Sequence, residues 1–178
     1  MPTPVTLYLV RHGIAAERGP AYPDDALRQL TREGKQLFAR AARGLASLDV
    51  HVDEVLTSPL TRARQTARIL ASELAGTPAV TDLPSLVPDS EPADVIGELE
   101  RFSRRSSLAL VGHEPSISAL AAALIGARGR IPFKKGAVCR IDLPFLPPGR
   151  PGELVWFATP RMLRRLGGPS KDVKRAGS

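Results

Sequence analysis

The 178-residue chain has a single cysteine, Cys139. That excludes an intramolecular disulfide and fits a reducing compartment, so a cytoplasmic location is expected. No stretch approaches the roughly 18 unbroken apolar residues of a membrane span. The N-terminus enters an apolar strand at once, without the basic and apolar regions of an export signal. There is no internal repeat. The net charge is +7, but it is unevenly placed. Residues 161–178 hold six basic side chains (Arg161, Arg164, Arg165, Lys171, Lys174 and Arg175) against one acid, Asp172, and without them the excess falls to two. That end reads as a solvated tail able to touch an anion such as polyphosphate or an acidic protein. It lacks aromatic residues, so it offers no base-stacking platform and no specific nucleic-acid binding is expected.

What is present suits one domain with a sizeable core, residues 1–166, followed by a flexible basic tail, 167–178. Val5 to Val10 is apolar on both faces, as in a central strand covered by helices. A long loop follows over 14–30, with Gly19, Pro20, Pro23, Asp24 and Asp25. Thr31 is placed to cap a helix with Leu37, Phe38, Ala41, Leu45 and Leu48 on one stripe. Strands are expected at 52–57, 78–82, 107–111, 137–143 and 153–158. Helices are expected from Ser58-Pro59, from Glu91-Pro92, over 115–125 and near 160–166. This alternation predicts an α/β three-layer sandwich. Its sheet has about six strands, mostly parallel, with helices on both faces and one antiparallel edge.

Three strand-to-helix junctions carry the chemistry. The first strand ends in Arg11-His12-Gly13, where glycine would let the backbone turn sharply. The second ends in Ser58-Pro59, with Arg62 just inside the next helix. The fourth ends in Gly112-His113-Glu114-Pro115. In a parallel sheet these carboxyl ends share one edge, where ligands bind in open α/β folds. Two arginines, two histidines and two helix N-termini in one crevice suit a phosphoryl group and oppose a metal cation. His51 has no companion motif. Arg28 and Asp25 in the long loop are candidate substrate contacts or a surface ion pair.

These residues resemble a known family. Leu9-Val10-Arg11-His12-Gly13, the run from Ser58-Pro59-Leu60-Thr61-Arg62 to Ala67, and Val111-Gly112-His113-Glu114-Pro115 are similar in order and spacing to the signatures of the histidine phosphatase, or phosphoglycerate mutase-like, superfamily. The compact length and Leu30-Thr31-Arg32-Glu33-Gly34 resemble its SixA-type phosphohistidine phosphatases. The resemblance runs from about residue 5 to about 160. It implies a metal-independent phosphatase without a cofactor, acting on a phosphorylated protein through its phosphohistidine. The alternatives are a small phosphorylated metabolite, nucleotide or polyphosphate, or a degenerate phosphoryl-binding module. By the same resemblance His12 is the nucleophile, Arg11 and Arg62 bind the equatorial oxygens, and His113 is the second phosphate-binding histidine. Flanking arginines would favour neutral His12, and a bound dianion would favour charged His113. Gly13, Ser58 and Arg28 are expected near the substrate.

The chain departs from the family pattern at the general acid. Where related chains read Leu-Pro-Glu-Leu, this one reads Leu83-Pro84-Ser85-Leu86. Asp89, Glu91 and Asp25, with Asp24, are the carboxylates left as candidates. A phosphoramidate leaves more readily than an alkoxide, so a missing acid favours phosphohistidine. The short stretch after the third strand leaves no room for a lid domain, so an open crevice and hydrolysis rather than mutase transfer are expected.

Overall fold

A computed structural model describes residues 3–169. Most of the expected tail, from residue 170 on, lies outside the described residues. The first strand, β1 (Val5–Arg11), buries five of its seven residues and is covered on both faces. It pairs in parallel with β4 (Ser107–Gly112) on one side and antiparallel with β5 (Val138–Leu143) on the other. Beyond β4 lie β2 (Glu54–Thr57) and β3 (Ala79–Asp82), both parallel. Beyond β5 lies β6 (Glu153–Ala158), antiparallel. The order is β3-β2-β4-β1-β5-β6, the expected mixed sheet with a two-stranded antiparallel edge.

Alternation along the strands divides the core in two. Leu7, Leu9, Leu56, Leu108 and Leu110 face α3 (Pro92–Leu99) and α4 (Ser116–Leu124), through Val95, Leu99, Ile117, Leu120 and Leu124. Tyr8, Val10, Val55, Ala109 and Val111 face α1 (Arg32–Ala46), α2 (Thr61–Glu73) and α5 (Pro160–Leu166), through Phe38, Leu45, Ala63, Leu70 and Leu163. Each fully buried leucine contributes roughly 1.5–3 kcal/mol, so both faces add to the stability of one sheet. Cys139 belongs to the first core. Burial pushes its thiol up to about 12, which leaves it an inert small hydrophobe. Among the described residues no helix is long and apolar enough to cross a membrane.

Two local expectations are corrected. Ser58-Pro59 does not open α2, which starts at Thr61 with Leu60 as an N-cap lacking any side-chain bond. The Ser58 N–H stays on the sheet, donating to the Val111 carbonyl at 3.0 Å. Its hydroxyl lies 2.8 Å from His113 Nε2 and accepts the Leu60 N–H at 3.3 Å. Leu48, assigned to the inward stripe of α1, lies beyond that helix's end and is 45% exposed. Thr31 does cap α1, its Oγ1 accepting the Gly34 N–H at 2.8 Å. The segment between β3 and α3 holds one short 3-10 turn, Pro84–Leu86, and no inserted lid.

Helices α1 and α5 approach backbone to backbone. A Cβ at Gly44 would collide with the Leu163 carbonyl, and one at Gly167 with the Arg40 carbonyl. Gly44→Ala should therefore destabilise the protein by about 1–3 kcal/mol through overpacking. A circular-dichroism melt should find the midpoint several degrees lower; an unchanged midpoint would contradict this packing.

Candidate active site

The parallel ladder between β1 and β4 builds the site. Arg11 lies opposite Gly112, and the ladder runs one step further, the His12 N–H donating to the Gly112 carbonyl at 3.0 Å. The residues that follow, His12 and His113, are thus set side by side with ring centroids 5.0 Å apart. The same edge carries Ser58 from β2 and Arg62 from the first turn of α2. Both imidazoles and the Arg62 guanidinium are buried. The structure therefore brings together Arg11, His12, Ser58, Arg62 and His113 across about a hundred residues of sequence.

The tautomer of His12 follows from its neighbour. Its Nδ1 lies 2.7 Å from the Gly13 carbonyl, which can only accept, so Nδ1 carries the proton. Nε2 then holds the free lone pair. Burial drives the His12 pKa down to about 3, against the Gly13 bond and with help from Arg62, Arg11 and Arg28. Burial, followed by His12 and Arg62, brings His113 to about 2. Arginines do favour neutral His12, as expected, but desolvation is the larger cause. When the Ser58 hydroxyl donates to His113 Nε2, the His113 proton sits on Nδ1.

The long loop is fastened, not free. Ala15 bridges Leu30, Gly19 bridges Tyr22, and a 3-10 turn covers Asp25–Leu27. Asp25 is its anchor. Arg62 donates to the Asp25 carbonyl at 2.8 Å and to its Oδ2 at 3.0 Å, while Arg18 and Arg28 donate to Oδ1 at 3.0 and 2.9 Å. Partial burial raises the Asp25 carboxyl, but the Arg28 bond and the charges of Arg62, Arg28 and Arg18 outweigh it and hold it below the ordinary range. Asp25 is thus placed as a counter-ion for Arg62 and is unsuited to be the general acid. Arg28 also donates to the Ala16 carbonyl at 2.7 Å. Asp24 accepts the Ala26 N–H at 2.9 Å.

Gly13 is engaged on both sides. Its N–H donates to Thr66 Oγ1 at 3.0 Å and its carbonyl holds His12, so neither group is free for a substrate. Its φ lies outside the left-handed region, and a Cβ would find ordinary contacts with Leu30 and Phe38. The turn does not need glycine there. Gly34 is the demanding position, since its Cβ would collide with the Ile14 carbonyl. That close approach locks the start of α1 against the residue two places after His12. Ser85 donates to Glu98 Oε2 from its hydroxyl at 2.6 Å and its N–H at 3.2 Å. Asp89 and Glu91 border a cleft with Pro115 and Ser116, beside the start of α4.

Several residues escaped the sequence reading. Thr66 donates to the Arg62 carbonyl at 2.7 Å while accepting from Gly13, tying α2 to the end of β1. Glu114 Oε1 accepts the Phe133 N–H at 2.8 Å and the Ser118 hydroxyl at 2.5 Å. The Phe133 carbonyl in turn accepts Arg11 Nη1 at 2.6 Å. Glu114, quoted in the third motif but given no role, thus fixes the backbone that aims Arg11. Among the described residues five buried side-chain polar atoms lack a partner; Arg40 Nε is on α1, and the other four, Arg11 Nε, Arg62 Nε, His113 Nδ1 and Ser116 Oγ, belong to the three strand-to-helix junctions. An unpaired buried group costs about 1–3 kcal/mol. Such a set fits an oxyanion, which accepts from every side. Among the described residues no group of three or more His, Cys, Asp or Glu side chains could hold a metal ion.

Comparison with known proteins agrees with this geometry. Residues 7–86 match the model of the histidine phosphatase superfamily, branch 1. An uncharacterized protein of Picosynechococcus sp. is 41% identical over 121 residues, covering 66% of this chain and 72% of that protein. The protein histidine phosphatase SixA complexed with tungstate superposes with a TM-score of 0.77 at 25% identity, over 88% of this chain and 98% of SixA. A putative phosphohistidine phosphatase SixA from Agrobacterium tumefaciens gives 0.73 at 21% identity, over 89% and 99%. With its three motifs gathered on one sheet edge around a neutral imidazole, this chain belongs to the histidine phosphatase superfamily, in its SixA-like group.

Proposed function

We propose that this protein is a metal-independent phosphohistidine phosphatase that works through a covalent intermediate on His12. The observation that carries the reading is a neutral imidazole with a free Nε2, set beside His113 and the Arg62 guanidinium, where the loop carboxylate Asp25 is already held by arginines. His12 is neutral with Nε2 available, and Arg11, Arg62, His113 and Ser116 each keep a buried polar atom without a partner. Asp25 is committed to three arginines, and Ser85 stands where the family's acid would be. A protein-borne phosphohistidine suits such a site. Its ring takes a proton on the far nitrogen near neutral pH and then departs as neutral imidazole, so no acid from the enzyme is needed as it would be for an alkoxide.

The steps balance without a cofactor. With a solvent proton on the far ring nitrogen of the substrate, the Nε2 lone pair forms a bond to phosphorus as the phosphorus–nitrogen bond breaks, and the substrate histidine leaves with the electron pair as neutral imidazole. Arg11 and Arg62 offset the charge on the equatorial oxygens, and an arriving dianion favours a protonated His113. Water then attacks phosphorus, and inorganic phosphate leaves as His12 is regenerated. The short turn between β3 and α3 leaves the crevice open to a protein and to water, which favours hydrolysis over transfer.

His12→Ala should abolish hydrolysis of a synthetic phosphohistidine peptide and the acid-labile radiolabel on the protein, with chelator making no difference in the wild type. Retained turnover would overturn the nucleophile assignment. Simple alkyl phosphates should be hydrolysed far more slowly. Comparable rates, lost in Asp89→Asn or Glu91→Gln, would instead indicate a general phosphomonoesterase with an acid on the rim.

Glu114 should act through Arg11. Glu114→Ala frees the Phe133 peptide and should lower kcat/KM about tenfold or more, because small displacements of an oriented group are costly. Glu114→Gln keeps an accepting oxygen and should retain most activity. Equal losses in the two variants would point to charge rather than positioning.

The buried imidazoles also set an acid limit. Both stay neutral in the folded protein, whereas an unfolded histidine protonates near 6.5. Below that pH the unfolded chain binds more protons, so stability falls as pH drops from 6.5 toward 3. Urea titrations at about pH 7 and about pH 5 should lose less stability in His12→Asn/His113→Asn than in the wild type. An equal loss would remove these histidines as the cause.

A further inference from the structure

We infer that the connection between α4 and β5 is a docking strip for an acidic stretch of the phosphoprotein substrate, a refinement that rests on the phosphohistidine reading. This segment is fixed against the nucleophile. The Gly136 N–H donates to the carbonyls of Arg11 and His12 at 3.0 and 3.1 Å, and Phe133 holds Arg11 from the other side. Ser118 Oγ lies 2.6 Å from the Ile131 carbonyl as well as 2.5 Å from Glu114 Oε1, its one proton shared between the two acceptors, and Glu114 takes the Phe133 N–H. Charges carried on such a segment are therefore held at a set place beside the site.

Those charges are of one sign. Arg128, Arg130, Lys134 and Lys135 are all exposed, and no acidic residue occurs in sequence between Glu114 and Asp142. Among the described residues Arg128, Lys134 and Lys135 have no carboxylate partner, and Arg130 approaches Glu114 only at 3.8 Å. The cations across the site differ. Arg18, Arg28 and Arg62 all converge on Asp25. One rim is neutralised from within, and the other is left for a partner.

The mouth is also polarised. A cleft of about 430 Å³ leads from Arg11 past Glu114 and Ser118 to Arg130, floored by Pro132 and Phe133. On the far side of the start of α4 stand Asp89 and Glu91. A chain with carboxylates near its phosphohistidine is drawn to the first side and repelled from the second. Phe133, the only aromatic of the strip, is 2% exposed, so bases find nothing to stack on. Among the described residues the exposed large hydrophobics are Leu27, Leu48, Leu154, Val155, Met162 and Leu166, none of them on this strip, so it has no apolar anchor for a bilayer. An acidic protein segment remains the matching partner.

The test compares two phosphohistidine peptides, one flanked by glutamates and one by glutamines, on the full chain and on Arg128→Gln/Lys134→Gln/Lys135→Gln. Arg130 stays, because it lies beside the Glu114 contact that positions Arg11. Each exposed contact changes affinity by less than roughly fivefold. Three together should give the acidic peptide about a tenfold higher kcat/KM in the wild type at low salt, mostly through KM, and the gap should close at high ionic strength. The triple variant should lose the gap and keep the neutral peptide's rate. Equal rates for the two peptides in the wild type would overturn the strip, as would an equal slowing of both in the variant. Stronger binding of a single-stranded oligonucleotide or of phosphatidylserine vesicles than of the unphosphorylated acidic peptide, lost in the triple variant, would also overturn it. If the wild type hydrolyses neither peptide while a small phosphoryl donor still labels the protein, the phosphohistidine reading falls and the strip with it.

Discussion

Everything at this site depends on how far the parallel pairing of β1 and β4 extends. Backbone bonds that would ordinarily stop with the strands continue to the His12 N–H and the Gly112 carbonyl. The neighbouring strand does the same, the Ser58 N–H reaching the Val111 carbonyl. Each junction therefore leaves the sheet at a fixed height, and the side chains that follow are set by ladder geometry rather than by loop conformation. Rigid support of this kind is what positioning of a nucleophile requires. It also explains why the turn at Gly13 can do without glycine: the ladder and the Thr66 hydroxyl already fix its course.

Once the histidines are side by side and buried, the surrounding charge must be managed. Two buried imidazoles cannot both ionise beside Arg11 and Arg62, and neither does. The Arg62 guanidinium, almost wholly buried, needs a carboxylate, and the long loop brings Asp25 to it. Leaving a buried charge unpaired is strongly destabilising, so Asp25 holds the loop and the arginine at once. Asp25, one of the candidate acids of the long loop, is thereby drawn away from proton transfer. A structural requirement of the pocket thus narrows its chemistry.

Much of this was legible in the sequence because it follows local rules. Val5 to Val10, apolar on both faces, had to be central, and the three motifs had to end on one edge of a parallel sheet. Thr31 capped its helix as its position predicts. What escaped depends on partners far along the chain. Ser58 has the local pattern of a cap, yet His113, 55 residues away, takes its hydroxyl. Glu114 acts through Phe133 on Arg11, more than a hundred residues distant. Asp25 read equally well as an acid, a substrate contact or a surface pair until Arg62 was seen against it. No periodicity or spacing encodes such pairings. Glu114 and Thr66 did leave a trace, as members of the quoted motifs to which no role was attached.

The missing acid and the unpaired rim meet in the same logic. Ser85, in place of a carboxylate, keeps both its hydroxyl and its N–H on Glu98, so the turn after β3 is satisfied internally and presents no proton donor. Catalysis must then draw on the leaving group and on charge stabilisation. On the proposed phosphohistidine reading the leaving group is an imidazole attached to a protein, and a protein brings a surface with it. An open crevice with no lid gains nothing by enclosing that surface. It can select among proteins only through what stands at its mouth. The fixed, cationic segment from Arg128 to Lys135 stands there, while Asp25 neutralises the opposite rim. Selectivity in this fold is therefore expected from charge outside the pocket, because the pocket itself recognises little more than a phosphoryl group.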